Sequence, residues 1–427
     1  MATTTPAAAT ELALDLTDRE LYRHGFPHDQ LAFLRDEPVW WHPLTPGVEE
    51  LRPTGFYVVA RHEVVREVSR DPQRFTAFHG SSLTDVAPER QGQAIVNSDP
   101  PVQSRFRRLV SLGFTPRMVA QLDEMMEGWA RRIVDSLAGR DRCEFVTDVA
   151  ELLPLHVIAD IVGIPVDERP AIFDDVKAML RSFDPESGID PSEHVDAQMR
   201  MLVYAHTLST ARRDAPEDDV WSKLVHAQLT LDDGSTTELN EIELDLWFLI
   251  LAIAGSETTR NAIAIGLRSL LEHPDQLALL RERPELIDTA VDEIIRWSSP
   301  VLYHRRTVAA DTELRGVPLS GDVPITMFWP AANRDGRVFP DAGRFDITRT
   351  PNDHVAFGGG GPHYCLGANL AKREVKVMFA ELLSRVDDLA LDDDPPGGEG
   401  TSWSVPGMAV PVGIGLDRLP VRYRLKG

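Results

Sequence analysis

Phe357-Gly358-Gly359-Gly360-Gly361-Pro362-His363-Tyr364-Cys365-Leu366-Gly367 is the stretch from which the rest of the chain is read. Its four consecutive glycines permit a backbone that passes close to a flat ligand. The pattern then predicts a helix entered at Cys365, where unpaired N–H groups and the positive end of the helix dipole favour the thiolate. On its own the stretch also accommodates a glycine hinge beside a buried structural cysteine. A phosphate loop would need Gly-Lys-Ser/Thr after the glycines, and none follows. A zinc site built on His363 and Cys365 would lack its remaining ligands.

A second stretch bears on the same region of chemistry. The apolar run Leu246 to Gly255 leads directly into Ser256-Glu257-Thr258-Thr259. Its ten residues are about half of the roughly 20 needed to span a bilayer, so it reads as a buried helix centre. An acid and a hydroxyl that interrupt such a helix carry a desolvation cost unless they have partners or a task. A mid-helix threonine can bond back to a carbonyl one turn earlier and glycine weakens the helix, so a local kink is expected. The residues alone also fit a solvated stretch that begins at Glu257, with Thr258 merely helix-compatible. Glu293 and Arg296, three apart within Ile287 to Trp297, share a helical face and can pair.

With 427 residues, 43% hydrophobic and 26% charged, the chain can bury a large core. Its net charge of −23 repels nucleic acid and anionic membrane over the surface as a whole. Cys143 and Cys365 are the only cysteines, too far apart for a metal finger or a disulfide framework, which fits a reducing cytoplasm. Cys143 is expected to be structural. Met1 to Thr10 has neither the basic nor the apolar segment of a signal peptide.

Phe56 to Ala60 has strand composition, followed by a helical pattern at His62 to Ser69. Residues 77–101, rich in Gly, Ser, Asp and Pro, read as a functional loop. Helical patterns dominate from Ser104 to Trp297, with breaks at Pro165, Asp184 to Pro191, Asp232 to Ser235 and Pro274. Short strands and turns follow Pro300, and a last helix follows Cys365 to about Val386. On that helix Leu370, Ala371, Val375, Met378, Phe379 and Leu382 fall within one half, and Lys372, Arg373 and Lys376 on the other. No repeat or interior linker divides the chain, so one domain over residues 1–427 is expected, with residues 1–14 flexible.

A thiolate is the ligand that suits a haem iron when the chemistry is O–O bond cleavage. The cysteine stretch resembles the haem-binding signature of the cytochrome P450 family, and Ala254-Gly255-Ser256-Glu257-Thr258 resembles that family's oxygen-activating motif. The resemblance extends from about Asp15 to Tyr423 and implies a mainly α fold with small β-sheets. In that fold, a triangular helical prism, haem b (iron protoporphyrin IX) is buried between the oxygen-activating helix and the cysteine loop. It implies that Cys365 ligates the iron, that Phe357 packs near the sulfur and that His363 reaches a propionate. Arg107 and Arg306 would bind propionates, and Ala254, Gly255 and Gly367 would adjoin the cofactor. Glu257 and Thr258 would be the catalytic acid–alcohol pair. Glu293 and Arg296 would form a structural element locked with Arg344. Relatives often carry histidine where this chain has Gln103.

The same resemblance implies a monooxygenase that uses O2, with electrons from NAD(P)H through a ferredoxin reductase and a ferredoxin. Because the last helix begins near the cysteine, its basic face, with Arg108, would lie where an acidic electron donor docks. Leu251, Ala254, Val301, Leu302 and Met408 are candidate pocket residues, largely apolar, which favours a lipophilic substrate. The loop is one residue longer than the commonest bacterial form and resembles that of actinobacterial enzymes acting on steroids and branched lipids. A steroid, terpenoid or branched lipid is therefore expected, with tailoring of a polyketide or peptide natural product as the alternative. A haem-binding sensor or electron carrier is the non-enzyme reading, against which Glu257 and Thr258 argue.

Overall fold

Phe56, Tyr57, Val58 and Val59 are all buried, because the strand Gly55–Val59 has neighbours on both edges and a core on each face. In the computed structural model, which describes residues 9–43, 55–114, 116–182, 184, 187–395, 398–407 and 410–426, it pairs antiparallel with Trp40–Pro43 and parallel with Pro324–Phe328. Phe56 and Val58 point into one apolar cluster with Leu302, Val405 and Ile414. Tyr57 and Val59 point into another with Val64, Val65 and Trp329. This is the two-residue period of a strand buried on both faces.

The α-helices, in chain order, are α1 (His62–Arg70), α2 (Val102–Gly113), α3 (Pro116–Asp135), α4 (Leu152–Val162), α5 (Arg169–Arg181), α6 (Pro191–Asp214), α7 (Val220–Val225), α8 (Glu241–Glu272), α9 (Pro274–Glu282), α10 (Ile287–Ser298), α11 (Trp329–Ala332) and α12 (Ala368–Arg385). Contacts divide the chain into two compact units. The first comprises residues 1–103, 292–366 and 403–415, and the second residues 104–291, 367–402 and 416–427.

The first unit is built on a six-stranded sheet ordered Thr10–Glu11, Trp40–Pro43, Gly55–Val59, Pro324–Phe328, Tyr303–Val308, Phe75–Thr76. Thr10 and Glu11 pair with Trp40 and Trp41, so these two residues of the stretch expected to be flexible are strand; residues 1–8 lie outside the described residues. Residues 77–101 carry only two short 3-10 turns, as their composition predicts.

The second unit is helical around α8, which packs on α4, α6 and α12. Asn240 caps α8 by accepting from the Glu243 N–H at 2.9 Å, while the Glu243 carboxylate accepts from the Asn240 N–H at 2.9 Å. The helix runs unbroken for 32 residues, so the expected kink does not interrupt it. A three-stranded antiparallel sheet joins Val386–Leu391, Pro420–Leu425 and Arg142–Glu144. Cys143 sits in its edge strand, where burial pushes the thiol up to about 12 and leaves it unreactive at neutral pH. Among the described residues no helix is long and apolar enough to cross a membrane.

Candidate functional site

The cysteine loop is shaped by the last turn of α1. A Cβ on Gly359 would lie 2.9 Å from Arg66 Cα and 3.0 Å from the Val65 carbonyl oxygen. One on Gly361 would lie 2.6 Å from the Ser69 carbonyl oxygen. Gly360 and Gly361 also adopt φ of +94° and +80°, conformations that favour glycine. Ser69 Oγ donates to the Gly360 carbonyl at 2.8 Å and Arg70 Nε to that of Gly359 at 3.1 Å. Packing against α1 therefore demands glycine at these positions.

Within the loop the Cys365 N–H donates to the Phe357 carbonyl at 2.9 Å, which brings Phe357 and Cys365 together. Cys365 is exposed. Helix α12 starts at Ala368 with Gly367 at its N-cap, so Cys365 precedes the helix by three residues instead of opening it. The glycine–proline path needs those residues to turn before helical bonding can begin.

His363 Nε2 lies 4.0 Å from Asp99 Oδ1. Burial would raise the Asp99 carboxyl, but the nearby His363 ring and hydrogen bonds from the Ala77 N–H and the Thr76 hydroxyl hold it below its ordinary range. Gln103, fully buried, donates from Nε2 to the Pro362 carbonyl at 2.5 Å, so it braces the loop. Arg306 is also buried; Nη1 donates to the Arg305 carbonyl at 2.7 Å. Burial lowers its pKa to about 10, against the pull of Asp99. No carboxylate among the described residues lies within ion-pair distance of Arg306. A buried guanidinium in that state fits a cofactor bearing carboxylates.

The Glu293–Arg296 pair is present and completely buried, bidentate at 2.7 Å on both arms. Its third charged partner is Arg349, whose Nε reaches Glu293 at 3.2 Å. Arg344 was expected there; it contributes its backbone carbonyl to Arg296 at 3.2 Å while its side chain is exposed. A turn from Asp341 to Arg344 directs the carbonyl inward and the side chain outward.

In the second unit, Ser256 Oγ donates to the Ala252 carbonyl at 2.7 Å and Thr258 Oγ1 to that of Ala254 at 2.8 Å. The Glu257 carboxylate accepts from Arg260 Nη1 at 2.7 Å and Asn261 Nδ2 at 2.9 Å. Arg260 and Asn261 were not singled out from the sequence, although their i+3 and i+4 spacing from Glu257 carries the signal. Gly255 was expected to adjoin the cofactor; a Cβ there would come within 2.6 Å of Ile158 Cδ1, so its missing side chain serves the packing of α4 on α8. Ala254 is exposed and Leu251 half-buried.

Arg107 is half-buried and Arg108 exposed on α2. The basic face of α12 is already engaged: Arg373 pairs with Asp123 and Glu127 of α3 at 2.8 and 2.9 Å, and Lys376 with Asp288 of α10 at 2.5 Å. Lys372 is half-buried. Glu374 was missed on the buried half of α12: it is fully buried, and desolvation holds its carboxyl well above the ordinary range. Its position one turn from both Leu370 and Met378 could have revealed it.

Of the pocket residues, Leu302 is buried in the core around Val405 and Ile414, and Val301 is half-buried. The Leu302 N–H donates to the Val412 carbonyl, and a bridge joins Val301 to Gly413, so backbone pairing fixes this stretch. Met408 lies outside the described residues.

Comparison with known proteins decides the family. A steroid C26-monooxygenase of Rhodococcus jostii is 38% identical over 390 residues, covering 89% of this chain and 80% of the relative. The chain belongs to the cytochrome P450 family. The family model "Cytochrome P450" matches residues 191–396 of this P450. A methyl-branched lipid omega-hydroxylase of Mycobacterium bovis is 36% identical, covering 84% of this chain and 85% of that one. A Mycobacterium marinum cytochrome P450 solved with pseudoionone superposes with a TM-score of 0.86 at 33% identity, covering 99% and 100% of the two chains. The mainly α P450 fold expected from the sequence is thus borne out, and so are the haem-thiolate cofactor and the monooxygenase class that accompany the family.

Proposed function

We propose that this P450, as one functional domain, hydroxylates a lipophilic small molecule, with a steroid, terpenoid or branched lipid favoured. Electrons would come from NAD(P)H through a ferredoxin reductase and a ferredoxin in the cytoplasm. The observation that carries the substrate class is the pair of relatives named for steroid C26 and methyl-branched lipid hydroxylation, both above one-third identity over most of the chain. The pseudoionone complex is a terpenoid-like precedent for the fold. The net reaction is RH + O2 + two electrons + two protons giving ROH and water.

Haem b supplies, when bound, the iron centre at which dioxygen is activated for insertion into a C–H bond. Cys365 holds that iron through its thiolate, and the loop's bracing by α1 and Gln103 fixes the sulfur. Phe357 shields the sulfur. Arg306 and His363 take a propionate; the buried charge of Arg306 is the group in most need of one. Glu257 collects protons and Thr258 passes them towards the oxygen substrate.

Two spectra test the reading. The dithionite-reduced protein with carbon monoxide should show a strongly red-shifted Soret band, absent in Cys365→Ser; a histidine-type spectrum unchanged by the substitution would overturn the ligand. Steroids and methyl-branched lipids should then displace the resting ligand and blue-shift the Soret band. A shift seen only with polyketide or peptide natural products would move the enzyme to the tailoring class.

A further inference from the structure

Two small cavities lie along α8, and they differ in a way that assigns a task to Arg260. The first, about 10 Å³, is lined by Ile158, Phe173, Val176 and Phe248 and is apolar except for Ser256, which borders both cavities. The second, about 20 Å³, is lined by Ser256, Glu257 and Arg260 of α8, with Glu151, Lys177 and Arg181 opposite. A water needs roughly 10–15 Å³ and two or more polar partners, so the second cavity meets both conditions and the first lacks the partners. Its rim faces solvent: Lys177 is 40% exposed and pairs with Glu151 at 2.7 Å, and Arg181 is 46% exposed beside Asp417 at 3.5 Å.

Arg260 spans two anchors. Nη1 holds the Glu257 carboxylate at 2.7 Å, and Nη2 donates to the Leu416 carbonyl at 2.7 Å, on the strand Gly415–Arg418. The guanidinium is therefore fixed to backbone and cannot follow Glu257 when the acid turns. Glu257, by contrast, is tied among the described residues to Arg260 and Asn261 of its own helix.

We infer that Arg260 is a positioning residue for proton delivery, holding Glu257 against a water in this cleft so that protons enter from the surface between Lys177 and Arg181. The inference rests on the proposed relay through Glu257 and Thr258. A proton moves from the cleft water to a Glu257 oxygen and from Glu257 to the Thr258 hydroxyl, which passes its own proton on. Solvent reprotonates the water, and the ionised carboxylate returns to Arg260 and Asn261, whose charge-assisted bonds define its resting place.

The test uses the haem-loaded full chain with its electron-donor proteins, comparing the parent with Arg260→Gln, Arg260→Lys and Glu257→Gln. Arg260→Gln should lower oxygen-driven product formation about tenfold. It should also divert reducing equivalents to hydrogen peroxide and enlarge the solvent deuterium isotope effect. Hydroxylation driven by added peroxide should stay near the parent rate. Arg260→Lys, with charge but no fork, should recover part of the coupling. Independently of turnover, the carboxylate infrared band that disappears in Glu257→Gln should move in Arg260→Gln.

Parent coupling and isotope effect in Arg260→Gln would overturn the inference, as would a loss shared equally by the peroxide-driven reaction, which marks a merely structural role. If Glu257→Gln turns over normally, the relay itself falls and takes this inference with it. If Glu257→Gln is impaired while Arg260→Gln is not, the failure belongs to Arg260 alone. Should Arg260→Gln fail to load haem, Arg260→Lys is read by the same split between oxygen and peroxide.

Discussion

Glu293–Arg296 and Glu257–Arg260 are the same pair of residues at the same helical spacing, yet they do opposite things. Glu293 is completely buried and accepts from Arg296 twice, from Arg349, from the Asp346 N–H and from Asn352. Arg296 and Arg349 are also held by the backbone carbonyls of Asn333, Ala342 and Pro340, so the carboxylate has little room to turn. Glu257 accepts from Arg260 and Asn261 only and borders a cleft with room for water. An ion pair becomes a fixture or a moving part according to how many donors surround the acid and whether water can replace one of them.

The first way to break the comparison carries the largest effect. Glu293→Gln leaves Arg296 and Arg349 buried without a counter-charge, and breaking such a pair costs about 3–5 kcal/mol. The midpoint of urea unfolding should fall accordingly, with poor haem loading. A loss under about 1 kcal/mol, the scale of an exposed pair, would mean that the network is not the lock it resembles.

Glu257→Gln should reverse the ledger. Oxygen-driven turnover should drop about 10²–10⁴-fold, the range of a lost acid–base group, while stability changes by about 1 kcal/mol. Thr258→Ala should uncouple the oxygen-driven reaction, with peroxide formed in place of product, and leave peroxide-driven hydroxylation intact. If Thr258→Ala hydroxylates with parent rate and coupling, the relay assigned to it is wrong.

What was legible in the sequence follows the same line between local and distant causes. Glu293 and Arg296 can be paired on paper because three residues on a helix fix their geometry. Arg349 could not be found that way, because only the turn at Asp341–Arg344 decides which arginine faces inward. The cysteine loop announces itself by composition. The reason for Gly359 and Gly361 did not, since the helix that crowds them is about 290 residues earlier in the chain. Strand Gly55–Val59 was readable from its apolar run, and its partner Pro324–Phe328 was not. The family's motifs are local, and they miss what crosses from another element.

Glu374 sharpens the comparison as a glutamate buried as deeply as Glu293, this one with Oε2 unpartnered among the described residues. Desolvation raises its carboxyl well above the ordinary value of 4.5. As pH rises past that value the unfolded chain releases this proton while the folded chain keeps it, so stability present at pH 4 is lost towards neutrality. Glu374→Gln removes that dependence. It should raise the thermal midpoint at pH 8 relative to the parent, with the difference closing near pH 4. An unchanged difference across that range would show that Glu374 is ionised with a partner in the folded state.

The smallest effects are expected from pairs at the surface. Arg373 with Asp123 and Glu127, and Lys376 with Asp288, join partners whose side chains are between 31% and 73% exposed. Arg373→Ala or Lys376→Ala should each cost less than about 1 kcal/mol of stability. Their engagement also bears on the electron donor. A cation already held by an acid presents little net charge to a partner, so each variant should weaken donor binding by less than about threefold at 0.15 M salt, where the Debye length is about 8 Å. Arg108, exposed on α2, should matter more than either. Were Lys376→Ala to weaken the donor tenfold, Asp288 would have to yield its lysine on docking, and this surface pair would join Glu257–Arg260 among the moving parts.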